Sequence, residues 1–233
     1  MRRAGGLLVL ALLAAGVGVG EALTPGEEHV LLVGDSIMRQ SGPALARQLG
    51  DDWTVHNEGV NGSGLLTPDR FDWADHLEQD LARTDPDVVV FLFIGNYTDD
   101  PDQFWRTPEG REVRDIGSDA FAREWGREAD RAMAAIAETD ARVVLVLPPP
   151  MPNDELQAVV DALRVEYERV ADRWDFIQLA DATTALGGPD GEWVGFKRTV
   201  GGDLAPVRVG DGVHLAPLGK RLLAAEIARA VVR

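Results

Sequence analysis

Val30-Leu31-Leu32-Val33-Gly34-Asp35-Ser36 is the stretch whose reading decides the fold. Four branched apolar residues run into a glycine, and a helix-like pattern begins just after. A strand covered on both faces reads this way. A strand that stops at Gly and feeds a helix leaves Ser36 at the carboxyl edge of a sheet, where open α/β sheets carry their chemistry. Ser36 is therefore a candidate nucleophile. The rest of the chain has to supply a base, a group that orients it, and oxyanion donors.

Working outward, strands and helices alternate. Residues 29–33 form the first strand. A helix follows over 38–49, with Pro43 near its first turn or delaying its start. The alternating Trp53-Thr54-Val55-His56-Asn57 reads as a second strand, followed by a loop with Gly59, Gly62 and Gly64. Residues 71–83 make an amphipathic helix with Phe71, Ala74, Leu77 and Leu81 on one face. The apolar run 87–94 is a third strand, ending in Gly95-Asn96-Tyr97-Thr98. A polar and aromatic loop at 99–117 leads to a helix over 119–138 capped by Ser118. Residues 142–147 are the fourth strand. Pro148-Pro149-Pro150-Met151-Pro152 is a stiff connector, and Asn153 caps a helix reaching residue 173. A fifth strand at 176–179, a long loop at 181–210 and a closing helix at 217–232 complete the pattern. The expectation is an α/β protein: a three-layer α/β/α sandwich on a five-stranded parallel sheet of flavodoxin-like order 2-1-3-4-5.

Composition removes several functions. The chain has 233 residues and a formal net charge of −16. A phosphate backbone calls for a basic footprint, so a nucleic-acid partner is not expected. There are no cysteines, which removes disulfides, thiolate metal sites and cysteine nucleophiles together. His29, His56 and His76 fall in unrelated elements, so no metal site is expected.

The N-terminus reads as a leader. Met1-Arg2-Arg3 is basic, residues 7–15 are apolar, and Gly20-Glu21-Ala22 places small residues where a signal peptidase cuts. Residues 1–22 are thus read as a signal peptide, with an uncleaved membrane anchor as the alternative, and 23–233 as one domain. Either reading puts the domain outside the cytoplasm. Membrane contact is expected only through that segment, and a monomer is expected.

The strand ends bring together Ser36, Gly62, Asn96 and the late turn Gly210-Asp211-Gly212-Val213-His214. Asp211 and His214 are three apart. A carboxylate at that spacing can hold an imidazole in the tautomer that leaves its other nitrogen free as a base. A serine hydroxyl needs such a base. The Ser36 and Gly62 N–H groups and the Asn96 amide make three oxyanion donors, each worth roughly 3 kcal/mol of barrier in comparable sites. Asp35 reads as a turn-fixing residue. Gly59 competes with Gly62 for its role.

Gly34-Asp35-Ser36, Gly62, Asn96 and Asp211-Gly212-Val213-His214, in this order, resemble the four blocks of the SGNH/GDSL hydrolase superfamily. The resemblance spans residues 30–232. It implies Ser36 as nucleophile and oxyanion donor, Gly62 and Asn96 as the other donors, His214 as base and Asp211 as its orienting partner, with no cofactor. Ile94 and Tyr97 depart from the family's usual Gly-x-Asn-Asp third block. The implied activity is a serine esterase hydrolysing acyl esters, O-acetyl first, on a small molecule or on carbohydrate and cell-envelope glycan. An O-acyltransferase using the same residues is the close alternative. A non-catalytic glycan-binding protein is the alternative of another class. Tyr97 and Trp105, with Phe104, are read as a substrate platform or acyl lid, with packing beneath the loop as the competing reading. Arg208 is read as the partner of a carboxylate, with substrate binding as the alternative. Trp193 is left open.

Overall fold

The computed structural model describes residues 27–94, 96–97 and 105–233. The leader expected at 1–22 and the loop residue Phe104 lie outside the described residues. Strands β1 (Glu28–Gly34), β2 (Trp53–Asn57), β3 (Val88–Leu92), β6 (Arg142–Leu147) and β7 (Ile177–Asp181) form one parallel sheet ordered β2-β1-β3-β6-β7. Counting only these five, the order is the expected 2-1-3-4-5.

The side-chain period of a strand sorts the core into two halves. Leu31, Val33, Val89, Phe91, Val143 and Leu145 face helices α2 (Trp73–Thr84), α3 (Asp119–Ile136) and α4 (Asp154–Arg173). Val30, Leu32, Val88, Val90, Val144 and Val146 face α1 (Ser36–Leu49), α5 (Ala182–Leu186) and α6 (Pro217–Val231). Both faces are covered, which is why β1 and β3 read as unbroken apolar runs.

Three expectations about elements are corrected. First, α1 starts at Ser36, not at residue 38, and Pro43 lies inside it. A proline in a helix interior leaves the carbonyl four residues earlier without its donor. Here that carbonyl belongs to Arg39, and it accepts the Asn57 Nδ2 hydrogen at 2.8 Å. Gly42 makes room for the amide, since a Cβ there would lie 2.1 Å from Asn57 Nδ2. The neighbouring strand thus repairs the proline's gap. Second, the loop before α3 holds a short antiparallel pair, β4 (Trp105–Arg106) and β5 (Glu112–Val113). Third, the long loop after β7 is not structureless. It contains α5 and a hairpin, β8 (Phe196–Arg198) with β9 (Leu204–Pro206). Among the described residues no helix is long and apolar enough to cross a membrane.

Candidate active site

Asp35 sets the position of the serine. Its Oδ1 accepts the Ile37 N–H at 2.9 Å and caps α1, while its Oδ2 accepts the Ile94 N–H at 2.8 Å. One buried carboxylate therefore joins the end of β1 to the end of β3. Gly34 permits the close approach, because a Cβ there would stand 2.1 Å from the Leu92 carbonyl oxygen. Ser36 occupies the first position of α1, where a helix N–H has no intrahelical acceptor. Its Oγ lies 2.9 Å from His214 Nε2.

His214 sits on a tight turn held from every side. The Val209 N–H bonds the His214 carbonyl at 2.9 Å, the Ala216 N–H bonds that of Val207 at 3.0 Å, and the Gly212 N–H bonds that of Val209 at 3.0 Å. The turn passes through Gly212 at φ +76°, a conformation glycine takes without steric cost. Asp211 Oδ1 accepts the N–H groups of Val213 and His214 at 2.8 and 2.9 Å. Its Oδ2 lies 2.7 Å from His214 Nδ1. A proton on Nδ1 satisfies that contact and leaves the Nε2 lone pair facing Ser36, so the tautomer follows from the network. Burial alone would raise the Asp211 pKa. The hydrogen bonds from the His214 ring and from the His214 and Val213 N–H groups outweigh it and hold the carboxyl below its ordinary value.

Two side chains take the carbonyls of Gly212 and Val213. Trp193 Nε1 donates to Gly212 at 2.9 Å. Arg208, only 4% exposed, donates to Val213 at 2.7 Å and to Pro150 at 3.0 Å. The expected carboxylate partner of Arg208 is thus corrected to two main-chain carbonyls. One lies in the proline run, whose backbone supplies few donors of its own. Burial brings the guanidinium pKa down to about 10, against the pull of Asp211.

The loop after β2 reaches the same edge. Its Val60 N–H bonds the Gly34 carbonyl at 2.8 Å. Gly59 lies against the Arg39 backbone, where a Cβ would meet N at 2.7 Å, and its N–H goes to Asn57 Oδ1 at 3.3 Å. Gly62 has φ +73°, and among the described residues its N–H meets no acceptor. Of the two glycines, Gly62 is the one with a donor to offer. Asn96 Nδ2 donates to the Ser63 carbonyl at 2.9 Å, which leaves its second hydrogen as the oxyanion candidate. Asn96 stands at φ +69°, a region that asparagine enters more readily than bulky residues. Ser63 Oγ in turn accepts from Trp73 Nε1 at 3.0 Å.

The structure therefore brings Ser36, His214 and Asp211 into one hydrogen-bonded line and sets Asn96 and Gly62 on adjoining loops. It does not make a platform of Tyr97 and Trp105. They are 1% and 7% exposed, and Tyr97 packs edge-on to Trp105 and Phe121 with centroids 5.2 and 5.0 Å apart. Neither ring presents an exposed stacking face to a sugar, whereas Tyr97 does line the cavity beside His214. Burial pushes the Tyr97 hydroxyl far above its ordinary pKa and keeps it neutral. Beside His214 lies a cavity of about 290 Å³, lined by Ile94, Asn96, Tyr97, Met151, Leu156, Val159, Asp211, Val213 and His214. Its aliphatic wall was not read from sequence. Only Val213, next to the histidine, carried a signal, since tertiary packing alone brings in Met151 and α4. Among the described residues no group of three or more His, Asp or Glu is placed to hold a metal ion.

No curated protein matches the chain. Solved structures of similar shape include a carbohydrate acetylesterase from Sinorhizobium meliloti (TM-score 0.61, 18% identity, 88% of this chain and 99% of that one). The native aryl esterase of M. smegmatis gives 0.61 at 17% identity, with 88% and 98% covered. A protein assigned to the lipolytic G-D-S-L family of Desulfitobacterium hafniense DCB-2 gives 0.63 at 13% identity, with 88% and 99% covered. At such identities the likeness establishes the fold, which is that of the SGNH/GDSL hydrolases. The model of one family, described as a protein of unknown function (DUF459), matches residues 29–230, and the chain belongs to that family.

Proposed function

We propose that the protein is a serine esterase that cleaves acyl esters through an acyl-enzyme. The observation that carries this reading is the line from Ser36 Oγ to His214 Nε2, 2.9 Å, and from His214 Nδ1 to Asp211 Oδ2, 2.7 Å. In this mechanism His214 takes the hydroxyl proton as Ser36 attacks the ester carbonyl. The tetrahedral oxyanion falls to the N–H groups of Ser36 and Gly62 and to the Asn96 amide. His214 returns the proton to the leaving alcohol. Water, deprotonated by the same imidazole, then discharges the acyl group.

The substrate class is proposed from two supports. Structures of the same fold include a carbohydrate acetylesterase and an acetyl xylan esterase. The leader-like N-terminus reads as an export signal, which would place the domain beside envelope glycans. An O-acetylated carbohydrate outside the cytoplasm is the resulting proposal. Mass spectrometry of the protein with an activated acetyl donor, with and without glycan acceptors, tests it. An acetyl adduct on Ser36 that water clears supports the esterase. Clearance only when a sugar hydroxyl is present would make the protein an acyltransferase. No adduct, with the serine also unlabelled by a fluorophosphonate, would leave a non-catalytic glycan-binding role.

A further inference from the structure

Two arginines flank the loop that carries Gly62, and among the described residues neither meets a carboxylate. A Cβ built on Gly62 would lie 2.5 Å from Arg70 Nη1, so the guanidinium lies against this glycine. Arg39 lies three residues after Ser36 on α1. Its backbone packs on Gly59, and its Nη1 donates to the Gly59 carbonyl at 3.1 Å. Both side chains are exposed, and among the described residues neither forms an ion pair. The chain has 39 acidic and 23 basic residues. Several arginines pair with carboxylates, while others, Arg142 and Arg208 among them, donate to main-chain carbonyls instead. Arg83 reaches Glu58 on this same loop, and Arg169 and Arg173 share Asp130. Net negative charge should draw a free guanidinium toward a carboxylate. Two left unpaired at one edge of a candidate active site leave positive potential beside the reacting ester, inside a field that otherwise repels anions.

We propose that Arg39 and Arg70 select an ester whose alcohol part carries an anionic oxyacid group, held on the Gly62 side of Ser36. The inference rests on the esterase reading and adds the charge of the substrate to it. A guanidinium matches the planar oxygens of a carboxylate or phosphate and binds them with charge-assisted hydrogen bonds. The cavity beside His214 is lined by the aliphatic Ile94, Met151, Leu156, Val159 and Val213 together with Asn96, Tyr97, Asp211 and His214. Its aliphatic side chains offer an anion no donor, whereas the two guanidinium groups on the Gly59–Gly62 loop do. A uronate carboxylate and a glycerol phosphate would present the same chemistry.

The test is steady-state hydrolysis by the full chain of three acetyl esters at low ionic strength: an acetylated methyl glucoside, an acetylated methyl glucuronate and an acetylated glycerol phosphate. The expected result is a kcat/KM about tenfold higher for at least one anionic ester than for the neutral one, expressed in KM. The glucuronate and the phosphate distinguish the two sources of charge. The preference should shrink as salt rises. It should collapse toward one in Arg70→Gln and in the double variant with Arg39→Gln. Equal rates on neutral and anionic esters in the wild type would overturn the proposal while leaving the esterase reading intact. So would variants whose losses are the same on all three. If no ester of any charge is cleaved and a fluorophosphonate leaves Ser36 unlabelled, the esterase reading falls and takes this proposal with it.

Discussion

Asn96 shows how much is asked of a single side chain. Its amide is pinned to the Ser63 carbonyl at 2.9 Å by one hydrogen, while the backbone holds φ +69°. A donor preorganised this way acts mainly on the transition state, where charge has built up on the carbonyl oxygen. Asn96→Ala should lower kcat on the order of a hundredfold with KM nearly unchanged, read by steady-state kinetics on a short activated ester. A change confined to KM would move Asn96 from oxyanion binding to substrate binding. Asp211 gives a second expectation. Its carboxyl is held below the ordinary range by three hydrogen bonds. A depressed carboxyl keeps its charge above its folded pKa and loses it, with the stability it lends, only as pH falls through that value. It therefore stays ionised well into acid. On the acid side kcat/KM should rise with pH along a limb of slope one, because only one proton has to leave. A limb of slope two would bring Asp211 into the same window. At this scale the sequence was informative where spacing is short. Asp211 and His214 are three apart, and their partnership needs no tertiary knowledge. Arg208 was misread because its acceptors, the carbonyls of Val213 and Pro150, leave no trace in residue types.

Strand ends and the turns after them put these residues in register. Gly34 is a tight point, since β1 and β3 approach so closely there that a Cβ would stand 2.1 Å from the Leu92 oxygen and 2.8 Å from Met38 Cβ. Main chain cannot step aside as a flexible side chain can. Gly34→Ala should cost more than about 2 kcal/mol in a urea melt and should also lower the rate of Ser36 labelling. Labelling at the wild-type rate would show that the β1–α1 turn absorbs the methyl. Strands and their order were legible because both sheet faces are buried, and unbroken runs such as Val88-Val89-Val90-Phe91-Leu92 need no alternation to be recognised. Helix α1 was harder. Pro43 argued for a late start, and the compensation from Asn57 belongs to another strand. The hairpins β4–β5 and β8–β9 have strands of two and three residues, too short for any period to show. Tyr97 and Trp105 looked like ligands for a related reason. An aromatic in a polar loop reads as exposed until the loop is seen to fold over the core.

Over the whole molecule, charge is the dominant long-range term. A formal net charge of −16 on 233 residues makes the folded state repel itself. Surface ion pairs such as Arg106–Asp69 and Arg131–Glu109 weaken in salt as well, but pairs so exposed contribute little. Raising ionic strength from about 0.01 to 0.15 M shortens the screening length from roughly 30 to 8 Å, and the melting temperature should rise by roughly 2–5 °C. A fall would mean that the ion pairs outweigh the repulsion. The contact between Ser36 and His214 spans 178 positions of the chain. During synthesis the serine leaves the ribosome early and its base almost last. Until α6 has emerged and packed on α1, Ser36 is an ordinary alcohol. A reagent that reacts only with the activated serine would therefore count molecules folded from end to end, and would serve as a clock for the completion of folding.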